Sequence, residues 1–245
     1  MLKHKNPPHP HVSVVIPAFN EAKNIHQTLE SILNQTYQDF ELIVVDNNST
    51  DNTAEIAGRY GAKVIYEPKK GVTHARQAGF LAAKGEIIVS TDADAIHPPD
   101  WIERIVKILD SDRSLVAVGG IAYLHSGPLS ARLVARYLFY PFLVIDKLLS
   151  GGWNLSGFSM AVRKDAFLRT GGFDPNLQIG EDIDLSKKLR KLGKVILRRD
   201  IVSTVSGRRY KRGLLKGILD YLPSTVMRIF FRRVAFNTFK DVREE

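Results

Sequence analysis

The sequence predicts an α/β protein: a single Rossmann-like domain with a mostly parallel central sheet covered by helices, continued by a basic amphipathic helical C-terminal extension. Three observations lead there. Over the first 120 residues, short continuous apolar runs alternate with segments whose apolar residues recur at helical spacing. Uninterrupted apolar strands of this kind belong to a sheet that crossover helices bury on both faces. Polar residues, acids above all, gather where those strands end.

Residues 12–17 (VSVVIP) read as the first buried strand, and 21–34 as a helix with Ile25, Leu29, Ile32 and Leu33 on one face. Residues 40–46 (FELIVVD) form the second strand, after which Asn48, Ser49 and Thr50 supply capping chemistry for a helix near 53–60. A third short strand covers 62–66 and a third helix 73–83. The fourth strand, 86–91 (EIIVST), ends in Asp92-Ala93-Asp94. Pro98 and Pro99 open a helix that runs through Leu109, and 115–119 is a fifth strand. Beyond Gly120 the pattern changes: 128–149 is apolar and aromatic and reads as two helical pieces broken at Pro141. Residues 157–163 resemble a strand and 181–192 a helix. The packed face of that helix carries Leu185, Leu189 and Leu192, while Lys187, Lys188, Arg190 and Lys191 fall on solvated sides. From Tyr210 the chain reads as basic amphipathic helix, interrupted at Pro223.

With 245 residues, 44% apolar and 25% charged, the chain can bury a sizeable core without staples. It has no cysteine, which excludes disulfide frameworks, thiolate zinc sites, iron–sulfur clusters and cysteine nucleophiles. The formal charge of +9 is unevenly placed: residues 198–245 carry 12 basic and 5 acidic side chains, the preceding 197 carry 23 and 21. A near-neutral body with a basic tail predicts an anionic partner for the tail: a membrane surface, nucleic acid or a phosphorylated substrate. The first 11 residues lack the apolar stretch of a secretory signal. No run of about 18 apolar residues occurs, so no membrane crossing is expected.

Ligands of open parallel sheets bind beyond the carboxyl ends of the strands. There the sequence places Pro17-Ala18-Phe19-Asn20-Glu21, Asp46 to Asp51, and Asp92-Ala93-Asp94. Neither the GxGxxG fingerprint nor the GxxxxGK[ST] loop follows the first strand, so phosphates must be neutralised by other means. Asp92 and Asp94, at i and i+2 on leaving a strand, can reach one hard divalent cation, Mn2+ or Mg2+, completed by phosphate oxygens and water.

The segments VSVVIPAFNEAKNIHQTLESILNQTY, ELIVVDNNSTDNT, GVTHARQAGFLAAKGEIIVSTDAD and GEDIDLSKKLRK resemble, in order and spacing, the motifs of family 2 glycosyltransferases with the A-type (nucleotide-diphospho-sugar transferase) fold. The match covers roughly 12–195. The resemblance implies that Pro17, Ala18 and Glu21 grip the nucleoside of a sugar nucleotide and that Asp46 hydrogen-bonds the base. It implies further that Arg76 faces the phosphates or ribose, and that Asp92 and Asp94 hold the metal, Asp94 being favoured as direct ligand. Gln77 stands where the family usually has Asn. The family's general base maps onto Asp182 of the Glu181-Asp182 pair. It would accept a proton from the acceptor as that oxygen attacks in line, with inversion at the anomeric carbon. Asp51 and Asp184 are expected to be structural. Trp153 is a candidate for stacking on an acceptor, and Glu181, Arg208 and Arg209 are candidates beside the acceptor or diphosphate.

The domain plan that follows is a flexible segment over 1–11, a catalytic domain over 12–205 and a basic helical extension over 206–245. Within the catalytic domain, 12–120 would be the nucleotide-binding half and 121–205 the acceptor half. The implied enzyme takes a nucleotide-diphosphate sugar and a sugar or lipid-linked acceptor. Aromatic 128–149 and the basic tail suggest peripheral contact with an anionic membrane on its cytoplasmic face. The alternatives are a nucleotidyltransferase, whose glycine-rich basic loop is missing, or a basic nucleic-acid-binding protein. Against the latter, the aromatics lie in apolar helices and are not interleaved with basic residues on a strand.

Overall fold

In the computed structural model, which describes residues 3–177 and 179–210, β1 (Val12–Ala18) and β2 (Phe40–Asp46) are buried at every residue. Their side chains alternate between two apolar layers, as the two-residue period of a strand dictates. On one face Val12, Val14, Ile16, Leu42 and Val44 pack against α1 (Ile25–Leu33) and α4 (Trp101–Ser111). On the other, Val15, Ile43 and Val45 pack against α3 (Val72–Ala82). The remaining elements of this half are α2 (Thr53–Arg59), β3 (Lys63–Tyr66), β4 (Ile87–Ser90) and β5 (Ala95–Ile96).

The second half contributes β6 (Leu115–Leu124), α5 (Leu129–Tyr137), α6 (Phe139–Ser150), β7 (Met160–Arg163), α7 (Lys164–Arg169), α8 (Glu181–Arg190) and β8 (Lys194–Val205). Among the described residues, eight strands join one sheet in the order β3-β2-β1-β4-β7-β6-β8-β5. The first four are mutually parallel, and β7 enters antiparallel between β4 and β6. β6 and β8 pair in parallel, and β5 turns back antiparallel on β8, with Ala95 opposite Val205. That last pairing sets the segment holding Asp92 and Asp94 beside the end of β8.

Several expectations are corrected. The break between the two helical pieces of 128–149 falls at Leu138, not Pro141. Pro141 is the third residue of α6, where its missing N–H removes no helical bond. The expected strand over 157–163 is a 3-10 turn, Gly157–Ser159, followed by β7. Helix α1 begins at Ile25, four residues late, and the Glu21 N–H ahead of it donates to Thr53 Oγ1 (2.8 Å). The twelve-residue β8 was not anticipated, nor were β5 and α7. Residues expected to form a flexible leader make defined contacts. His4 stacks on Phe40 with ring centroids 4.5 Å apart, and Asn6 Oδ1 accepts from Leu42 N at 2.7 Å. The basic extension lies, from residue 211 onward, outside the described residues. No helix among the described residues is long and apolar enough to cross a membrane.

Candidate active site

The register of β1 with β2 sets Pro17 beside Val45 and Ala18 beside Asp46, so the two strands end together. Asp46 is buried, and its Oδ1 has no hydrogen-bond partner. An unpartnered buried carboxylate oxygen is costly unless a ligand donates to it. The loops around it are pinned by short polar side chains. Asn20 and Asn48 adopt left-handed backbone (φ 52° and 65°), a region asparagine tolerates. Asn20 Oδ1 accepts from Thr50 N at 2.8 Å, and Asn47 holds the 67–71 loop through Glu67 O, Lys69 O and Gly71 N. Asp51 accepts from Ala22 N and Thr53 N, both at 3.0 Å, which is the structural role expected of it.

Arg76, buried on α3, ties the two halves together. Its guanidinium donates to Glu181 and, at 2.7 Å, to Asp92 Oδ1. Gly157 makes room for it, since a Cβ there would collide with the guanidinium. Burial works against the charge of Arg76, yet Glu181, Asp92 and Asp182 outweigh it and hold its pKa above the ordinary value. Burial pushes the Glu181 carboxyl up to about 7, with Arg76 pulling the other way and Asp182 adding to the rise. Glu181 thus serves as the inner partner of Arg76.

Arg208, just past β8, reaches back across the chain. It donates to both carboxylate oxygens of buried Glu21 (2.8 and 2.5 Å) and lies 3.2 Å from Asp94 Oδ2. Burial opposes its charge, but the bonds to Glu21 and the proximity of Asp94 raise its pKa all the same. Glu21, Asp94 and Arg208, drawn from three strand ends, therefore meet in one crevice. The side chain of Arg209 is outside the described residues.

Asp182 sits in the first turn of α8, entered through Gly180 in left-handed backbone (φ 77°). Its Oδ2 accepts from Gly157 N at 3.1 Å and its Oδ1 from Ile183 N at 2.8 Å. The same glycine thus seats Arg76 and orients Asp182, a role with no signal in the sequence. Asp184 pairs with Lys188 at 2.8 Å, in line with a structural part. Arg190 is not solvated as expected: its guanidinium donates to Trp153 O (2.7 Å) and Asn154 Oδ1 (2.9 Å). Trp153 is half-buried against the core layer of α8, with Tyr140 beside it and the Lys147 ammonium 4.7 Å from its ring centroid. Gln77 accepts from Phe173 N at 2.9 Å, so the departure from the family's Asn serves to pin a turn.

The residues present suit a divalent cation. Asp92 and Asp94 offer hard oxygen donors, and each now has a guanidinium beside it where a cation would supply the charge. Among the described residues no group of three or more His, Cys, Asp or Glu converges on one ion position. The pair would thus need oxygens from a ligand or water to complete a coordination shell.

A sheet of this order, with acids at three strand ends opening on one crevice, has the A-type glycosyltransferase fold. The chain belongs to Glycosyl transferase family 2, whose profile matches residues 13–171. It is 28% identical over 192 residues to Glycosyltransferase AglE of Haloferax volcanii, covering 75% of this chain and 62% of that protein. It is 30% identical over 192 residues to chondroitin synthase of Pasteurella multocida, covering 76% of this chain and 19% of the synthase. The chain thus spans less than two thirds of the length of these relatives. Among solved structures it resembles the mannosyltransferase PcManGT from Pyrobaculum calidifontis in complex with GDP-Man and Mn2+. That match has a TM-score of 0.67 and 25% identity, covering 90% of this chain and 66% of the other. Glucosyl-3-phosphoglycerate synthase from Mycobacterium tuberculosis shares the fold, with a TM-score of 0.65 and 23% identity over 91% of this chain and 79% of the other.

Proposed function

We propose that the chain transfers a sugar from a nucleotide-diphosphate sugar to a hydroxyl or phosphate acceptor, inverting the anomeric carbon. The observation that carries this is the convergence, through buried Arg76, of Asp92 from the nucleotide-binding half with the first turn of α8 holding Asp182. In this reading 12–120 forms the donor half, 121–205 the acceptor half, and 206–245 a basic extension. The name of the Haloferax relative and the GDP-Man and Mn2+ of the Pyrobaculum structure support it.

Pro17, Ala18 and Glu21 would frame the nucleoside, with Asp46 as the group that reads the base. An ionised carboxylate only accepts hydrogen bonds. It would therefore accept from an N–H of the base, whether a ring N–H, as in uracil, thymine or guanine, or an exocyclic amine, as in cytosine or adenine. Asp92 and Asp94 would hold the Mn2+ or Mg2+ ion, which when bound supplies Lewis-acid stabilisation to the departing diphosphate. Arg208 would exchange Glu21 and Asp94 for the diphosphate. Asp182, held by the Gly157 N–H, would take the proton of the attacking acceptor hydroxyl.

A thermal-shift screen of UDP-, GDP- and dTDP-sugars with Mn2+ or Mg2+ identifies the donor, because a ligand of the folded state raises the melting temperature. Asp182→Asn is expected to keep that shift while losing roughly 10²–10⁴-fold in transfer rate. Full activity in Asp182→Asn removes the base assignment, turnover that survives chelation removes the metal, and a retained anomer removes inversion.

A lipid-linked or membrane-proximal acceptor is favoured by one further observation. The α5–α6 segment leaves Leu129, Leu133, Tyr137, Leu138, Ile145 and Leu148 exposed. Exposed apolar residues in this number, with Arg132, Arg136 and Lys147 on the same two helices, suit the interface of an anionic bilayer. The protein should float with phosphatidylserine vesicles at low salt, and a protein that stays at the bottom of the gradient removes the membrane.

A further inference from the structure

His97 lies three residues past Asp94 and is buried, as are all its partners. Its Nε2 meets the Thr91 hydroxyl at 2.7 Å and its Nδ1 meets the Ser203 hydroxyl at 2.9 Å. Burial pushes its pKa down to about 3, so the ring stays neutral, one nitrogen donating and the other accepting. A hydroxyl on each side satisfies either tautomer. The ring stacks on Trp101 with centroids 3.7 Å apart. Trp101 Nε1 in turn donates to Ser159 Oγ at 3.1 Å, in the turn that supplies the Gly157 N–H to Asp182.

The placement of these partners matters more than their number. Thr91 and His97 bracket the loop that carries both aspartates, so their bond closes that loop like a clasp. Thr91 N is itself fixed to Val15 O at 3.1 Å, which fastens the near side to β1. The far side is fastened to β8 by the β5 pairing, Ala95 with Val205 and Ile96 with Thr204, and by Ser203. Ser203 lies five residues before Arg208, whose guanidinium faces Asp94. An acidic loop left to itself would spread its like charges. Here both of its ends are held by uncharged groups, of which Thr91, His97 and Ser203 are buried.

We infer that His97 is a positioning residue, clasping the 91–97 loop so that Asp92 and Asp94 are held for the metal–diphosphate of the donor. This rests on the donor and metal reading given above. The imidazole touches neither ligand in this role, and acts only through Thr91 and Ser203.

The test measures binding of the Mn2+ complexes of UDP and of GDP by calorimetry, alongside thermal melts. His97→Phe preserves the stack on Trp101 and removes both hydrogen bonds. It is expected to weaken binding of the preferred complex about tenfold. His97→Gln, which restores a donor and an acceptor, should recover most of the loss. Ser203→Ala removes one arm of the clasp without altering the ring and should weaken binding severalfold, with a melting temperature lowered by the few degrees that one unpartnered buried nitrogen costs, which keeps the test decisive if His97→Phe does not fold. Unchanged affinity in folded His97→Phe, or in Ser203→Ala, overturns the inference. Wild-type protein that binds neither complex overturns the donor reading itself, a different result from variants that match a binding wild type.

Discussion

Arg76 faces Glu181, 105 positions away in the chain, and Asp92, with its own side chain only 6% exposed. Taking that many charges out of water is offset only while each keeps its partner. Arg76→Met should therefore cost about 3–5 kcal/mol of stability, because it strands the buried Glu181 carboxylate. Combining it with Glu181→Met should return most of that loss, since an apolar pair of similar volume leaves no fully buried charge unmatched, Asp92 being 39% exposed. Urea unfolding of the two single variants and the double variant measures the coupling, and additive losses would contradict it. At this scale the sequence is legible where one residue acts from a strand end. Asp46, Asp92 and Asp94 stand out because they terminate buried apolar runs. Gly157 and His97 do not, because what makes them matter arrives from residues 76, 182 and 203.

The α5–α6 segment shows how one stretch of chain can divide its leucines between two solvents. Leu143 is 8% exposed, whereas Leu148, five residues on, is 75% exposed. Replacing Leu148 and Ile145 together by Ser should leave the melting temperature within a degree or two, since neither is a core residue. The same change should weaken vesicle flotation, while Leu143→Ala should cost about 2–5 kcal/mol and leave flotation of the folded protein intact. Among the elements, β1, β2 and β4 were readable from unbroken apolar runs, and α1, α3 and α4 from helical spacing. β8 was not, because Arg198, Arg199 and Asp200 expose a charged stretch in the middle of the strand. β5 has two residues and takes its strand character wholly from β8. The break between α5 and α6 lies away from Pro141 because proline punctuates a helix only beyond its first turn.

Two buried titratable groups pull the stability of the whole molecule in opposite directions. His97 has its pKa pushed down from 6.5 to about 3, so the folded state disfavours its proton. Its contribution is complete above about 6.5 and is lost as pH falls toward 3. Glu181 is pushed up from 4.5 to about 7, so its contribution is complete below 4.5 and is lost as pH rises through 7. Between 4.5 and 6.5 the two slopes, each about 1.4 kcal/mol per pH unit at most, largely cancel. Wild-type stability should therefore change less across that window than that of either single variant, with His4, whose pKa burial also lowers, adding a rise toward the upper end. His97→Gln should tilt it downward with rising pH and Glu181→Gln upward, as read from denaturation midpoints at several pH values. A single slope shared by all three proteins would refute the assignment.

The strand order also sets a timetable for synthesis. β1 to β4 can pair once residue 90 has emerged, but the seat beside β4 is filled only by β7, from residue 160. β6 is made in the interval and has no neighbour either, since both its partners, β7 and β8, come later. At a ribosomal pace of about 5–20 residues per second, the apolar edge Ile87–Ser90 waits uncovered for roughly 4–14 s. During that interval the nascent chain, more than the finished protein, is the species at risk of sticking to its neighbours.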